Sequence, residues 1–66
     1  MTITVNGRLQ EAEPGATLAS LMAASGVDPA RTVAERNGEV VERARFGETR
    51  LAEGDRIELV RFVGGG

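Results

Sequence analysis

The side chains that most often carry catalysis are missing from this sequence. It contains no histidine and no cysteine, which removes the usual general base, the thiol nucleophile and the thiolate ligands of metal sites. The carboxylates are not paired at helical spacing, and no strand, glycine loop and helix follow one another as they do in a phosphate-binding site. We therefore predict no metal site, and we expect a protein that is not itself an enzyme.

One backbone group remains as a candidate for chemistry, the carboxylate at the end of the glycine run Gly64, Gly65 and Gly66. Glycine has no Cβ, so such a run can pass through a narrow channel and approach a ligand closely. Taken alone, however, the run is more typical of a frayed terminus or an artificial extension. We expect residues 1–63 to form the folded domain and residues 64–66 to be a flexible tail.

The composition limits the kinds of partner. The 66 residues suffice for one small domain, and a net charge of −2 does not provide the basic patch of a nucleic-acid-binding protein. No apolar stretch has the length of a membrane span, and the N-terminal residues do not form a signal-peptide pattern. We predict a cytoplasmic protein, monomeric when free, that binds neither nucleic acid nor membrane.

The first 13 residues, MTITVNGRLQEAE, predict a β-hairpin. Ile3 and Val5 alternate with threonines, which is the period-two pattern of a strand with one buried face. Asn6-Gly7 favours a type I′ turn, because both central residues of that turn need a positive φ. The returning strand is predicted over residues 8–13.

The segment TLASLMAASG, residues 17–26, predicts a short helix. Thr17 can cap its N-terminus, and Gly26 suits the left-handed position that ends a helix. We expect an incomplete capping box, because Ser20 stands where glutamate or glutamine is usual. One apolar stripe must pack on a sheet, since about two turns are not stable alone. The stripe consists of Leu18, Leu21 and Met22.

The second half of the chain predicts three further strands. Asn37-Gly38 is the tip of a second hairpin candidate. Glu35 and Arg36 interrupt the apolar pattern of its first arm, which indicates a short or edge strand. RIELVRFV, residues 56–63, is predicted to be the last strand.

The predicted order β-β-α-β-β-β is not the alternation of a parallel α/β fold. It favours an α+β domain, in which one helix packs on one face of a mixed sheet of four to five strands. The first and last strands have the cleanest apolar alternation, so we expect them side by side at the centre.

The single helix can cover only one face of this sheet. Glu58, Val60 and Phe62 alternate onto the other face of the last strand. A contiguous apolar patch on a small protein often marks an interface. We therefore predict that Glu58, Val60, Phe62 and Val63 contact a protein partner.

Five segments occur here in the order seen in a known family: ITVNG, PGATLASLM, RNGEVVER, LAEGDRIELV and the final GGG. In this respect the chain resembles the ThiS-type sulfur carriers of the ThiS/MoaD superfamily, and the resemblance covers essentially the whole chain. It implies a ubiquitin-like β-grasp fold. Where Glu42 and Phe46 stand, proline and tryptophan are common in that family.

The resemblance also implies a mechanism. A ThiF-like adenylyltransferase of the ubiquitin-activating class would use ATP and Mg²⁺ to adenylate the Gly66 carboxylate. A sulfur donor such as a cysteine desulfurase would convert it into a thiocarboxylate, and a ThiG-like thiazole synthase would take up the sulfur to form the thiamine thiazole. Gly64 and Gly65 would lie in the partner's channel, and no cofactor would be bound to the chain itself.

Two alternatives remain open from the residues. The chain could be a sulfur carrier for molybdopterin synthesis or tRNA thiolation, which would share the chemistry of the glycine tail. It could instead be a TGS-like β-grasp binding module, which would not need a free Gly-Gly end.

Overall fold

The computed structural model describes residues 1–63 and contains one α-helix and one five-stranded sheet. The spatial order of the strands is β2-β1-β5-β3-β4, with β1 and β5 parallel and the other neighbours antiparallel. The predicted α+β class, the five strands and the adjacency of the first and last strands are confirmed. The elements are β1 (Thr2–Val5), β2 (Arg8–Glu11), α1 (Leu18–Ser25), β3 (Thr32–Arg36), β4 (Glu39–Val41) and β5 (Arg56–Arg61).

Both predicted Asn-Gly turns are present. The φ angles are 50° at Asn6 and 81° at Gly7, and 52° at Asn37 and 88° at Gly38. Asparagine and glycine are the residues that adopt this left-handed region at least cost. The strand after the first turn is shorter than predicted, because β1 offers it partners only from Thr2↔Glu11 to Val5↔Arg8.

The N-terminus of α1 corrects one expectation, because its capping box is complete. The Ser20 N–H donates to Thr17 Oγ1 over 3.1 Å, and the Thr17 N–H donates to Ser20 Oγ over 2.9 Å. The serine hydroxyl thus takes the place of the expected glutamate carboxylate and satisfies the same free N–H group. At the other end Gly26 has a φ of 71°, as predicted for a left-handed cap.

The core lies between α1 and one face of the sheet. The predicted stripe of α1 is buried, and it packs against Ile3 of β1 and Ile57 of β5. Two further core residues, Phe46 and Leu51, come from the long connection between β4 and β5. Eight buried apolar residues form this cluster: Ile3, Leu18, Leu21, Met22, Ala34, Phe46, Leu51 and Ile57.

β3 was predicted to be a short or an edge strand, and the edge position is wrong. β3 lies between β5 and β4, and the edges of the sheet are β2 and β4. Its two charged residues are compatible with this interior position for different reasons. Glu35 points to the face that α1 leaves uncovered, and the Arg36 guanidinium is paired with a carboxylate, with 3.0 Å between Arg36 Nε and Asp55 Oδ2.

Asp55 is the one buried carboxylate among the described residues, and it fastens the second hairpin to the start of β5. It accepts hydrogen bonds from Asn37 Nδ2 over 3.0 Å, from the Ala52 N–H over 2.8 Å and from Arg36 Nε. Burial by itself raises the pKa of the Asp55 carboxyl. The three hydrogen bonds and the Arg36 charge outweigh that effect, so the net pKa is lower than its ordinary value.

The lowered pKa predicts acid sensitivity. As the pH falls, the unfolded chain takes up the Asp55 proton first, so stability from this carboxylate is complete above about pH 4 and is lost below it. We expect Asp55→Asn to lower the free energy of unfolding by about 1–3 kcal/mol at pH 7. We also expect the stability of the variant to decline less steeply below about pH 4 than that of the wild type.

Urea titrations at pH 7, 4 and 3 (roughly the window in which carboxylates titrate) would measure both effects. Glu13→Gln is the matched control, because it removes the same charge from an exposed loop position that makes no side-chain hydrogen bond within residues 1–63. A variant Asp55→Asn with the pH profile of the wild type would contradict the role assigned to Asp55.

Candidate functional site

The face of the sheet opposite α1 carries the predicted docking residues, and we call it the outer face. β5 alternates across the sheet, so Ile57 is buried against α1 whereas Glu58 and Val60 point outward. The register brings Val33 of β3 directly opposite Val60. The outward position predicted for Glu58 and Val60 is therefore confirmed.

The apolar residues at one end of the outer face form a patch that includes the last described residues. Val60 is 57% exposed and Phe62 is 51% exposed, so each keeps about half of its surface free for another molecule. Val33 and Val40 extend the same patch, since the register places both on the outer face. Of the residues predicted to contact a partner, Val60 and Phe62 thus belong to an exposed apolar surface, and Val63 is exposed beyond the strand.

Phe62 and Val63 lie beyond the last strand, which ends at Arg61 rather than at Val63 as predicted. The reason is that Thr32, the first residue of β3, pairs with Arg61, and the chain before it turns away in the 3-10 segment Pro29–Arg31. One further hydrogen bond, from the Phe62 N–H to the Arg31 carbonyl over 3.0 Å, still anchors Phe62. Gly64, Gly65 and Gly66 lie outside the described residues.

Two carboxylates face each other beside the apolar patch. Glu35 of β3 is the cross-strand partner of Glu58 of β5. Like charges at directly opposed positions destabilise a sheet, and none of the four ion pairs found among residues 1–63 includes either residue. The structure thus leaves two adjacent negative charges on the outer face without a cation.

The sequence singled out Glu58 but missed Glu35 as part of this surface. Glu35 is interpreted from the sequence only as an interruption of an apolar pattern. Its pairing with Glu58 spans more than 20 residues of chain, and no local pattern indicates such a register.

Two turn asparagines hold β5 in place. Asn6 Oδ1 accepts a hydrogen bond from the Leu59 N–H over 2.8 Å, and Asn6 Nδ2 donates to the Leu59 carbonyl over 3.3 Å. Asn37 Oδ1 accepts from the Arg56 N–H over 2.9 Å. β5, which carries or precedes the predicted docking residues, is therefore held by side chains as well as by its backbone ladders.

The described part of the chain offers no site of a different kind. Every buried side-chain nitrogen or oxygen in residues 1–63 has a hydrogen-bond partner. The same residues hold no group of three or more acidic, histidine or cysteine side chains placed to bind a metal ion. No helix in this part of the protein has the length and apolar character needed to cross a bilayer.

The opposed glutamates predict a local loss of stability on the outer face. We expect Glu58→Gln to raise the free energy of unfolding by roughly 0.2–1 kcal/mol at low salt, because it removes the repulsion from Glu35. The gain should shrink as salt is added, since both side chains are accessible to screening ions. Denaturant titrations at two salt concentrations would measure it.

Glu42→Gln serves as the control, because Glu42 is exposed and lies outside the strands, with no glutamate across a ladder from it. Equal gains in both variants would show that only the net charge matters. No gain for Glu58→Gln would show that the opposed carboxylates do not repel each other measurably.

Comparisons with known proteins agree with this architecture. The ThiS family model matches residues 3–66. A thiamine biosynthesis protein (ThiS) from Geobacter metallireducens, known from a crystal structure, superposes with a TM-score of 0.86 and 35% identity over 100% of both chains. A ubiquitin-like protein from Caldiarchaeum subterraneum superposes with a TM-score of 0.55 at 22% identity, covering 98% of this chain and 100% of the other, and shares the fold alone.

Relatives of two kinds are similar in sequence. The sulfur carrier protein ThiS of Bacillus subtilis is 38% identical over 50 residues, which is 76% of each chain. A thiazole synthase of Magnetococcus marinus is 44% identical over 66 residues, 100% of this chain but 20% of that protein. The chain thus spans a fifth of the length of the thiazole synthases that it matches.

The five-stranded mixed sheet with one helix on one face is the ubiquitin-like β-grasp arrangement predicted from the sequence. The family match runs through almost the whole chain and includes the glycine run. This chain belongs to the ThiS family.

Proposed function

We propose that this chain is a sulfur carrier that acts as a co-substrate of other enzymes. A ThiF-like adenylyltransferase would activate the Gly66 carboxylate with ATP and Mg²⁺, and the resulting thiocarboxylate would donate its sulfur for thiamine thiazole formation. The observation that carries the proposal is the match to the ThiS family over residues 3–66, which ends in the glycine run. The similarity to proteins named thiazole synthase supports a ThiG-like synthase as the acceptor.

The chemistry needs only the terminal carboxylate of this chain. A carboxylate is a poor electrophile, and adenylation with release of pyrophosphate makes its carbon open to attack. A persulfide sulfur, supplied by a donor such as a cysteine desulfurase, displaces AMP. A thiol then breaks the sulfur–sulfur bond and leaves the thiocarboxylate on Gly66. Every group that moves a proton or a phosphate belongs to the partner enzymes, so the chain itself binds no cofactor.

The outer face supports this role as the surface by which the domain, here called the handle, docks on the enzyme. Holding the glycines in a channel costs about 1–2 kcal/mol for each residue fixed. Docking of Val60, Phe62 and Val63 against the adenylating enzyme offsets this cost by raising the effective concentration of the tail at its active site. The opposed carboxylates Glu35 and Glu58 favour a partner surface with a basic side chain, and they disfavour contact with a second copy of this chain.

The composition supports a carrier rather than an enzyme, since the chain contains neither histidine nor cysteine. Adenylation needs ATP, and we therefore place the protein in the cytoplasm. The similarity to thiazole synthases favours thiazole formation over the other acceptors that such carriers serve.

Loading with sulfur can be measured by mass. We expect the intact chain, incubated with ATP, Mg²⁺, a ThiF-like enzyme and a cysteine desulfurase with cysteine, to gain the mass difference between one sulfur and one oxygen. Tandem fragmentation should locate the gain at Gly66. A chain that gains no mass with any adenylating enzyme of this class would contradict the proposal.

The control for this experiment is a chain extended by one alanine after Gly66. The extension moves the carboxylate away from the glycine run and leaves the docking residues unchanged. We expect it to bind the enzyme without gaining mass. Equal loading of the extended chain would show that the Gly66 carboxylate is not the reactive group.

Phe62 provides a test of the handle. We expect Phe62→Ala to raise the apparent KM for loading by about tenfold or more, because buried aromatic residues dominate interface energies. Its free energy of unfolding should fall by only about 1–1.5 kcal/mol, since half of the side chain is already exposed. Leu9→Ala is the matched control, because Leu9 is 80% exposed on the outer face but lies on β2 at the far edge. Equal effects of the two variants would contradict the assigned patch.

A further inference from the structure

β5 has a neighbouring strand on both sides only near its start, and on one side alone over the rest of its length. On one side β3 pairs with it from Arg36↔Ile57 to Thr32↔Arg61. On the other side β1 pairs with it only at Thr4↔Arg56 and Val5↔Ile57. The parallel ladder between β1 and β5 therefore ends well before β5 does.

The side chain of Asn6 extends that ladder by one step. Asn6 has a φ of 50° and turns the main chain away from β5. Its amide group takes the place of a further strand residue and bonds both the N–H and the carbonyl of Leu59, over 2.8 and 3.3 Å. An amide side chain can replace one peptide group in this way but not two, so the ladder stops at Leu59.

The backbone groups of Arg61 come next in the same alternation. In an antiparallel ladder, alternate residues of one strand turn their N–H and carbonyl groups to the same side. Leu59 bonds toward Asn6 and Phe62 bonds toward Arg31, so the N–H and carbonyl of Arg61 point away from β3. Within residues 1–63 no side chain or turn donates to or accepts from these groups. We call this side of residues 61–63 the open edge.

A cleft of about 480 Å³ lies against the open edge. Its lining is mixed. The partly buried apolar side chains of Val5, Val27 and Leu59 lie beside a glycine and five polar residues: Asn6, Ser25, Gly26, Asp28, Thr32 and Arg61. A strand added beside Arg61 would place alternate side chains over this cleft. Among residues 1–63 the N–H and carbonyl of Arg61 thus have no partner, and the adjacent cleft has space for one apolar side chain beside Val5, Val27 and Leu59.

We propose that an extended segment of the adenylating enzyme adds to β5 as a further strand at the open edge, with an apolar side chain in the cleft. An unpaired strand edge is a template for another extended backbone. The position favours that enzyme because the open edge immediately precedes the glycine run. A strand there would hold residues 61–63 extended and direct the run into the active site. This inference rests on the proposed function.

Replacement of one amide by an ester tests the added strand, because it removes a backbone N–H and keeps the side chain. The chain, of 66 residues, is short enough for chemical synthesis with an ester before Arg61. The probe is the adenylating enzyme that loads the wild-type chain in the mass experiment. We expect the ester to weaken binding by about three- to tenfold, the effect of one lost backbone hydrogen bond, with a melting temperature equal to that of the control ester described next.

An ester before Leu9 is the matched control. The Ala12 N–H donates to the Met1 carbonyl, so Ala12 turns its backbone groups toward the chain of β1. Leu9, paired with Thr4, is an odd number of residues away and turns its groups the other way. The Leu9 N–H therefore lies on the free edge of β2. Each ester also makes the carbonyl of the preceding residue a weaker hydrogen-bond acceptor. That carbonyl lies in a ladder in both cases, so the two esters should lower the free energy of unfolding by similar amounts. We expect the Leu9 ester to bind the enzyme as the wild type does. In hydrogen exchange, the enzyme should protect the Arg61 amide and leave the Leu9 amide unprotected.

The outcomes separate the two proposals. If the wild-type chain gains sulfur and the Arg61 ester binds as tightly as the wild type, the added strand is wrong and the carrier function stands. If both esters weaken binding equally, the added strand is also wrong. If the wild-type chain neither binds the enzyme nor gains mass, the proposed function and the added strand fall together. Protection of Arg61 by the chain alone at high concentration would identify a second copy as the occupant and overturn the proposal.

Discussion

The pairing of β5 with β1 and β3 is the constraint on which the rest of this protein depends. β5 is the central strand, and it joins the two hairpins of the chain into one sheet. Its parallel ladder with β1 has only two register pairs, so side chains reinforce it. Asn6 bonds Leu59, and Asn37 and Asp55 fasten the start of the strand. Because β5 is held at both ends, the position of Phe62, which follows it, is fixed relative to the core.

The same strand connects the core to the candidate docking surface. Its period-two alternation sends Ile57 beneath α1 and Glu58 and Val60 onto the outer face. The core of eight apolar residues lies on the other side of the sheet. A partner can therefore bind the outer face without disturbing the packing that stabilises this small domain. The repulsion between Glu35 and Glu58 is tolerated there because solvent screens both charges.

Local signals in the sequence predicted the helix, strands and turns well, but they predicted the place of each strand in the sheet less well. The Asn-Gly turns, the stripe on α1 and the Gly26 cap depend on residues close in sequence, and the structure confirms them. The edge position of β3 was wrong, because charge in a strand also fits an interior position when one side chain points to solvent and the other is paired. The expectation of an incomplete capping box was wrong, because the Ser20 hydroxyl accepts from the Thr17 N–H as a glutamate carboxylate would.

The sequence by itself determined the absence of histidine and cysteine, the alternation of the last strand and the order of motifs that marks the ThiS family. Only the tertiary structure decided that Glu35 faces Glu58, that Asn6 bonds Leu59 and that Arg61 is left with an open edge. The physical reason is separation along the chain. Asn6 and Leu59 are 53 residues apart, and their contact depends on the register of strands that no local periodicity specifies.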